Sequence, residues 1–160
     1  MTGSLPAEND VRLRMDLGSA LRAPTWPEGF FLRTLEPSDA PALHALWREA
    51  FDDFDRSFDE WWTWLSGDAE FDPALCFLVK AADGRLAGAA QCWTSAFVKD
   101  LAVALGFRGR GIAEALLWQV FSAFKARGVA HVDLKTNRIA NATAYRLYRR
   151  VGMVEVDWEG

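Results

Sequence analysis

The stretch Val98-Lys99-Asp100-Leu101-Ala102-Val103-Ala104-Leu105-Gly106-Phe107-Arg108-Gly109-Arg110-Gly111-Ile112-Ala113 reads as a strand, a glycine-rich turn and the start of a helix. Apolar residues run to Val103, then Gly106, Gly109 and Gly111 break the chain. Beyond them Ile112, Leu116, Leu117, Val120, Phe121 and Phe124 lie on one stripe of a helix that runs from about Gly111 to Ala126. Glycines in such a turn let the backbone approach a ligand closely, and the unpaired N–H groups at a helix start attract an anion. Arg108 and Arg110 add fixed positive charge beside them. That is the chemistry of a pyrophosphate cradle. The turn lacks Gly-Lys-Ser/Thr, so it is not a P-loop. Glu114 stands where the third glycine of a dinucleotide-binding G-x-G-x-x-G would fall. The competing reading is a glycine turn with its arginines in solvent.

Working outward, Phe30 to Leu35 reads as a strand, and Ser38 as the N-cap of a helix carrying Leu43, Leu46, Trp47, Ala50 and Phe51. Ser57 with Glu60 fits a capping box that opens a second helix through Trp61, Trp62 and Leu65. Ala74 to Lys80 and Leu86 to Trp93 are strands joined by a two-residue turn at Asp83-Gly84, a register that sets Cys76 opposite Gln91. Cys92 then points to the face opposite Cys76, which argues against a disulfide. A strand from His131 to Thr136, a helix from Asn141 to Val151 closed by Gly152, and a strand from Met153 to Trp158 complete the chain. The expected order is β-α-α-β-β-β-α-β-α-β. Residues 1–29, broken by Pro6, Pro24 and Pro27, read as an N-terminal extension: a tail, or a loose helix over Val11 to Leu21. Residues 30–160 read as one domain.

The 160 residues are 51% hydrophobic and 25% charged, which excludes general disorder. No apolar run approaches the roughly 18 residues of a membrane span, and the N-terminus has no h-region, so the expected location is the cytoplasm. Two cysteines and two histidines without a third ligand at sensible spacing predict no metal site. The net charge of −4 is unevenly divided. From Lys99 to Arg150, ten Lys or Arg face three acids, a local +7, and the remainder carries −11. A nucleic-acid binder is disfavoured, because the basic residues alternate with a buried helix stripe in an acidic protein.

Arg108-Gly109-Arg110-Gly111-Ile112-Ala113, preceded by Leu101-Ala102-Val103, resembles the R/Q-x-x-G-x-G/A motif of the GNAT superfamily of acyl-CoA-dependent N-acyltransferases. Asn141-Ala142-Thr143-Ala144-Tyr145-Arg146-Leu147-Tyr148, continuing to Gly152-Met153, is similar to that family's N-x-x-A-x-x-L-Y…G-F block. The resemblance covers about residues 30 to 158. It implies an α/β fold: a mixed, mostly antiparallel sheet flanked by helices and splayed at its central strands. It implies acetyl-CoA, or another acyl-CoA, as co-substrate and no metal. Leu101, Ala102 and Val103 would hold pantetheine through backbone bonds. Gly109, Gly111, Ile112 and Ala113, with Arg108 and Arg110, would hold the pyrophosphate, and Asn141 would contact pantetheine from the facing helix. Tyr148 would be the general acid that protonates the leaving thiolate. On its residues alone, Tyr148 also reads as core, since it shares a helix face with Ala144, Leu147 and Val151, and Asn141 also reads as a plain N-cap.

The sequence departs from the family in several places. Leu105 replaces a frequent proline and Met153 the usual phenylalanine. The position that carries a glutamate base in some members is Phe97. Asp100 is the only carboxylate nearby, and strand alternation turns it away from the acceptor. The family's final strand, after Met153 to Trp158, is absent, which leaves a sheet edge for the N-terminal extension or another subunit, as in a homodimer, to cover, or leaves it open. That absence also admits a degenerate half of a tandem acyltransferase, or a module that binds acyl-CoA without catalysis.

Between Glu49 and Asp72, nine acids stand against Arg56 alone, interleaved with Phe51, Phe54, Phe58, Trp61, Trp62, Trp64 and Phe71. In this family that region shapes the acceptor site. Carboxylates beside aromatic faces suit a small-molecule or peptide amine, cationic or aromatic. The alternative is aromatic core under a solvated acidic face.

Overall fold

The computed structural model describes residues 5–160. Its strands are β1 (Asp10–Asp16), β2 (Phe30–Thr34), β3 (Phe71–Ala81), β4 (Leu86–Trp93), β5 (Phe97–Val103), β6 (His131–Asn137) and β7 (Val154–Val156). The helices are α1 (Ala40–Ala50), α2 (Phe58–Ser66), α3 (Ile112–Ala126) and α4 (Ala142–Val151). The strands form one mixed sheet in the order β2-β3-β4-β5-β6-β1-β7, antiparallel except where β5 meets β6. α3 and α4 pack on one face with Phe77, Val79, Val98 and Leu134, whereas α1 and α2 cover Cys76, Leu78, Ala89 and Ala102 on the other. Each of the large α3 side chains taken out of water, such as Leu116, Leu117, Phe121 and Phe124, contributes roughly 1.5–3 kcal/mol.

The main correction concerns the N-terminus. Asp10–Asp16 is a strand inside the sheet, paired with β6 (Leu13 opposite Leu134) and with β7 (Arg12 opposite Val156). Val11, Leu13 and Met15 enter the core while Arg12 and Arg14 face away, a period of two that the helical reading of Val11 to Leu21 overlooked. β1 thereby lies inside the sheet, between β6 and β7, instead of forming a separate extension. From Leu17 to Gly29 the chain returns past the end of α3, where Lys125 Nζ donates to the Ser19 carbonyl at 2.8 Å, to start β2 at the opposite edge. Residues 1–4 of the expected extension lie outside the described residues.

Smaller differences have local causes. A 3₁₀ turn, Pro37–Asp39, precedes α1, so Glu36 with Asp39 rather than Ser38 forms the cap. The β3–β4 turn holds three residues, Ala82 to Gly84, with the Ala81 N–H donating to the Arg85 carbonyl at 2.9 Å and Gly84 at φ +88°. A bulge near Ala87 takes up the extra residue, which restores Cys76 opposite Gln91. Both cysteines are buried free thiols in different core clusters. Ser57 caps α2, its hydroxyl accepting from the Glu60 N–H at 3.2 Å.

Candidate active site

β5 and β6 are paired only at Phe97–Asp133 and Val98–Leu134. Beyond these pairs the strands splay. The opening is one cleft made of two cavities, about 870 Å³ and about 690 Å³, that share Leu101, Ala102, Val103, Arg108, Asn141 and Tyr148. Ala104 N–H donates to Ala87 on β4. By the alternation of an antiparallel ladder, Ala102 and Asp100 bond to β4, and Leu101 and Val103 turn their N–H groups into the splay.

The smaller cavity is bounded by the glycine turn and the starts of α3 and α4. Gly109 and Gly111 have φ of +78° and +81°, which favour glycine, and a side chain at either would meet nothing within 4 Å, so this flank is open. Gly111 is the N-cap of α3, and the Ile112, Ala113 and Glu114 N–H groups start the helix without acceptors inside it. The Arg108 side chain lies here, its Nε donating to the Val103 carbonyl at 3.1 Å. Arg110 does not. Its guanidinium stacks over Phe107 at 5.5 Å and Phe30 at 5.8 Å, outside both cavities, because two aromatic faces offer it a cation–π seat. Arg150 of α4, which the sequence reading missed, takes its place at the cleft, 3.5 Å from Glu114. A helical-wheel signal existed: Thr143, Leu147 and Arg150 repeat along the α4 face that lines the cavity.

Asn141 is the α4 N-cap, but its side chain makes no capping bond and faces both cavities. Tyr148 is 8% exposed, its ring set in the core, and it lines both cavities with no hydrogen bond to its hydroxyl from the described residues. Burial, followed by the Asp100 charge, pushes its pKa up to about 12, so the phenol stays protonated.

The larger cavity continues to the loop between α1 and α2 and holds Asp100. The register between β4 and β5 shifts, with Cys92 opposite Val98 and Gln91 opposite Asp100, so Lys99 is an extra residue. This bulge breaks the alternation that would have turned Asp100 away and aims it at the cavity. Burial raises the Asp100 pKa and the nearby Asp53 charge adds to this, while Lys99, 3.4 Å away, opposes it. Among the described residues, no group of His, Cys, Asp or Glu could hold a metal ion, and no helix is long and apolar enough to cross a membrane.

A splayed parallel junction, a glycine turn into an uncapped helix and a tyrosine facing them from α4 define an acyltransferase-type fold. Residues 40–153 match the model of the Acetyltransferase (GNAT) family, and the chain belongs to that family. It is similar to streptothricin acetyltransferase of Streptomyces lavendulae, with 32% identity over 130 residues, 78% of this chain and 63% of the relative. Mycothiol acetyltransferase of Thermobispora bispora is 33% identical over 161 positions, covering 88% of this chain and 52% of the relative. Among solved structures, a GCN5-related N-acetyltransferase from Sphaerobacter thermophilus superposes with a TM-score of 0.82 at 33% identity, covering 92% of this chain and 48% of that one. The chain thus spans about half to two thirds of the length of these relatives.

Proposed function

We propose that this chain is an N-acetyltransferase that moves an acetyl or other short acyl group from acyl-CoA to a primary amine of a small molecule. The observation that carries this reading is the continuity of the cleft: an anion-attracting helix start at one end, a carboxylate at the other, and Tyr148 between them. The open flank of Gly109 and Gly111 and the uncapped α3 N–H groups fit a pyrophosphate, with Arg108 and Arg150 as charged neighbours. Leu101 and Val103 would meet pantetheine through their free backbone groups, and Asn141 would meet it from α4. Bound there, acyl-CoA supplies a thioester carbonyl.

The chain's own residues do the rest. The amine nitrogen bonds to the acyl carbon and the C–S bond breaks. Asp100, its pKa raised by burial, takes the proton that the nitrogen loses. Tyr148 gives its proton to the departing sulfur. A backbone N–H of the splayed β5 strand steadies the negative oxygen. The relatives named for streptothricin and mycothiol support a small-molecule acceptor.

A second reading, a non-catalytic half of a larger acyltransferase, draws on the chain spanning 52% of the mycothiol relative and 48% of the Sphaerobacter one. The test is CoA binding by calorimetry alongside thiol release from acetyl-CoA over a panel of amines. Tight binding with turnover supports the enzyme, and tight binding without turnover on any amine supports the second reading. Loss of neither binding nor turnover in Arg108→Ala would overturn the placement of the co-substrate.

A further inference from the structure

Glu49 and Leu105 line neither cavity, yet they join the elements that do. The Leu105 N–H donates to Glu49 Oε2 at 3.1 Å, across 56 positions of the chain. Burial explains neither residue: the Leu105 side chain is 62% exposed, and Glu49 is exposed as well. A carboxylate in the last turn of α1 also opposes the helix dipole. Among the described residues, Glu49 has no ion pair to account for it. The backbone at Leu105 would accept a proline. Leu105 is the first residue of a 3₁₀ turn, Leu105–Phe107, and Ala104 before it has φ −60° and ψ 145°, the extended conformation that proline requires of its predecessor. What Leu105 contributes, and a proline would not, is the N–H.

On one side the bond holds the turn that bounds the smaller cavity. The Phe107 N–H closes the 3₁₀ turn on the Ala104 carbonyl at 2.9 Å. The Phe107 ring is wedged between Phe30, edge-on at 5.6 Å, and the Arg110 guanidinium at 5.5 Å. Gly109 and Gly111 follow at once, so the seat of Leu105 carries to them. On the other side the bond holds α1, whose Leu43, Leu46 and Trp47 are packed into the core. The loop from Phe51 to Arg56 lines the larger cavity and hangs from α1 at both ends. At its start, the Phe51 N–H donates to the Trp47 carbonyl at 3.0 Å. At its end, His44 of α1, buried and ringed by Phe54, Phe58 and Trp61, donates from Nε2 to the Arg56 carbonyl at 2.9 Å. The loop therefore follows the helix.

We propose that Glu49 is a positioning residue for acyl transfer: by accepting from the Leu105 N–H it ties the turn that receives the pyrophosphate to the helix that carries the wall of the larger cavity. The spacing of the two substrates is set through this bond. The proposal rests on the acyltransferase reading. Transfer is sensitive to such spacing, because a misplacement on the order of 1 Å between bound reactants costs about 100-fold in rate. The link is also reciprocal: what steadies the turn steadies the loop, and what frees the loop loosens the turn.

Four variants of the full chain test the link: Glu49→Ala, Leu105→Pro, which removes the N–H, Leu105→Ala, which keeps it, and Glu49→Ala combined with Leu105→Pro. CoA affinity is read by calorimetry, and hydrogen exchange of residues 51–56 in the ligand-free chain by mass spectrometry. Glu49→Ala and Leu105→Pro should each weaken CoA binding roughly five-fold, the scale of one exposed hydrogen bond to a charged group. Each should also speed exchange of the loop. The double variant should match the single ones, since both remove the same interaction. Leu105→Ala should match the wild type in both readouts. Wild-type behaviour of Leu105→Pro, a change confined to one readout, losses that add in the double variant, or a Leu105→Ala protein that reproduces Leu105→Pro overturns the proposal. If the wild-type chain does not bind CoA, the acyltransferase reading fails on its own, and loop exchange across the same variants decides the link. Faster exchange in Glu49→Ala and Leu105→Pro but not in Leu105→Ala sustains it, and any other pattern refutes it.

Discussion

Arg14 of β1 forks onto Asp133 of β6, Nε to Oδ1 and Nη2 to Oδ2, both at 2.8 Å. Arg12, two residues earlier, reaches the same carboxylate at 2.7 Å. One buried acid thus clamps the N-terminal strand into the sheet.

Asp133→Asn is expected to cost about 2–4 kcal/mol, because two part-buried guanidinium groups lose their partner. Burial works to raise the Asp133 pKa, but the hydrogen bonds and charges of Arg14 and Arg12 outweigh it and hold the group below the usual range. A depressed carboxylate stabilises the fold above its unfolded pKa, about 3.9, and this contribution fades as pH falls through the folded value. Urea unfolding of the wild type should therefore lose stability below about pH 4 more steeply than Asp133→Asn does.

Tyr148→Phe keeps the ring in the core and removes only the hydroxyl. Thiol release should fall about 100-fold while CoA affinity changes little. With its pKa near 12, Tyr148 produces no alkaline loss of kcat between pH 7 and 10, a range that rate measurements cover directly.

As the proposed base, Asp100 would act in its ionised form, and burial holds its pKa above the ordinary carboxylate range. Activity should decline as pH falls through that raised value, above about 3.9. Asp100→Asn should lower kcat and abolish this acidic limb. An unchanged limb would assign the proton to another group.

Arg108→Ala and Arg150→Ala should each weaken CoA binding about ten-fold, the scale of a charge-assisted hydrogen bond. Arg110→Ala should act on thermal stability instead, since its side chain rests on Phe30 and Phe107. Calorimetry and thermal unfolding of the three proteins separate the two roles.

Burial pushes the Cys76 thiol up to about 12 and the Cys92 thiol well above its ordinary value. Neither should react with a disulfide reagent until the chain is unfolded, when two thiols should titrate.

The local patterns of the sequence were enough to determine the glycine turn, the stripe of α3 and the Asn141–Tyr148 block, each of which depends on residues near one another in the chain. Cys76 does face Gln91, but through a three-residue turn offset by a bulge near Ala87 rather than through the two-residue turn expected. What the tertiary structure alone decided depends on phase and on distant partners. β1 alternates apolar and charged residues, but only pairing with β6 and β7, with Asp133 between its arginines, selects strand over helix. Asp100 enters the cavity because one extra residue, Lys99, reverses the facing of its strand, and periodicity cannot reveal a bulge. Arg110 leaves the cleft and Arg150 enters it because the aromatic faces that attract one, and the helix that delivers the other, come from elements remote in sequence.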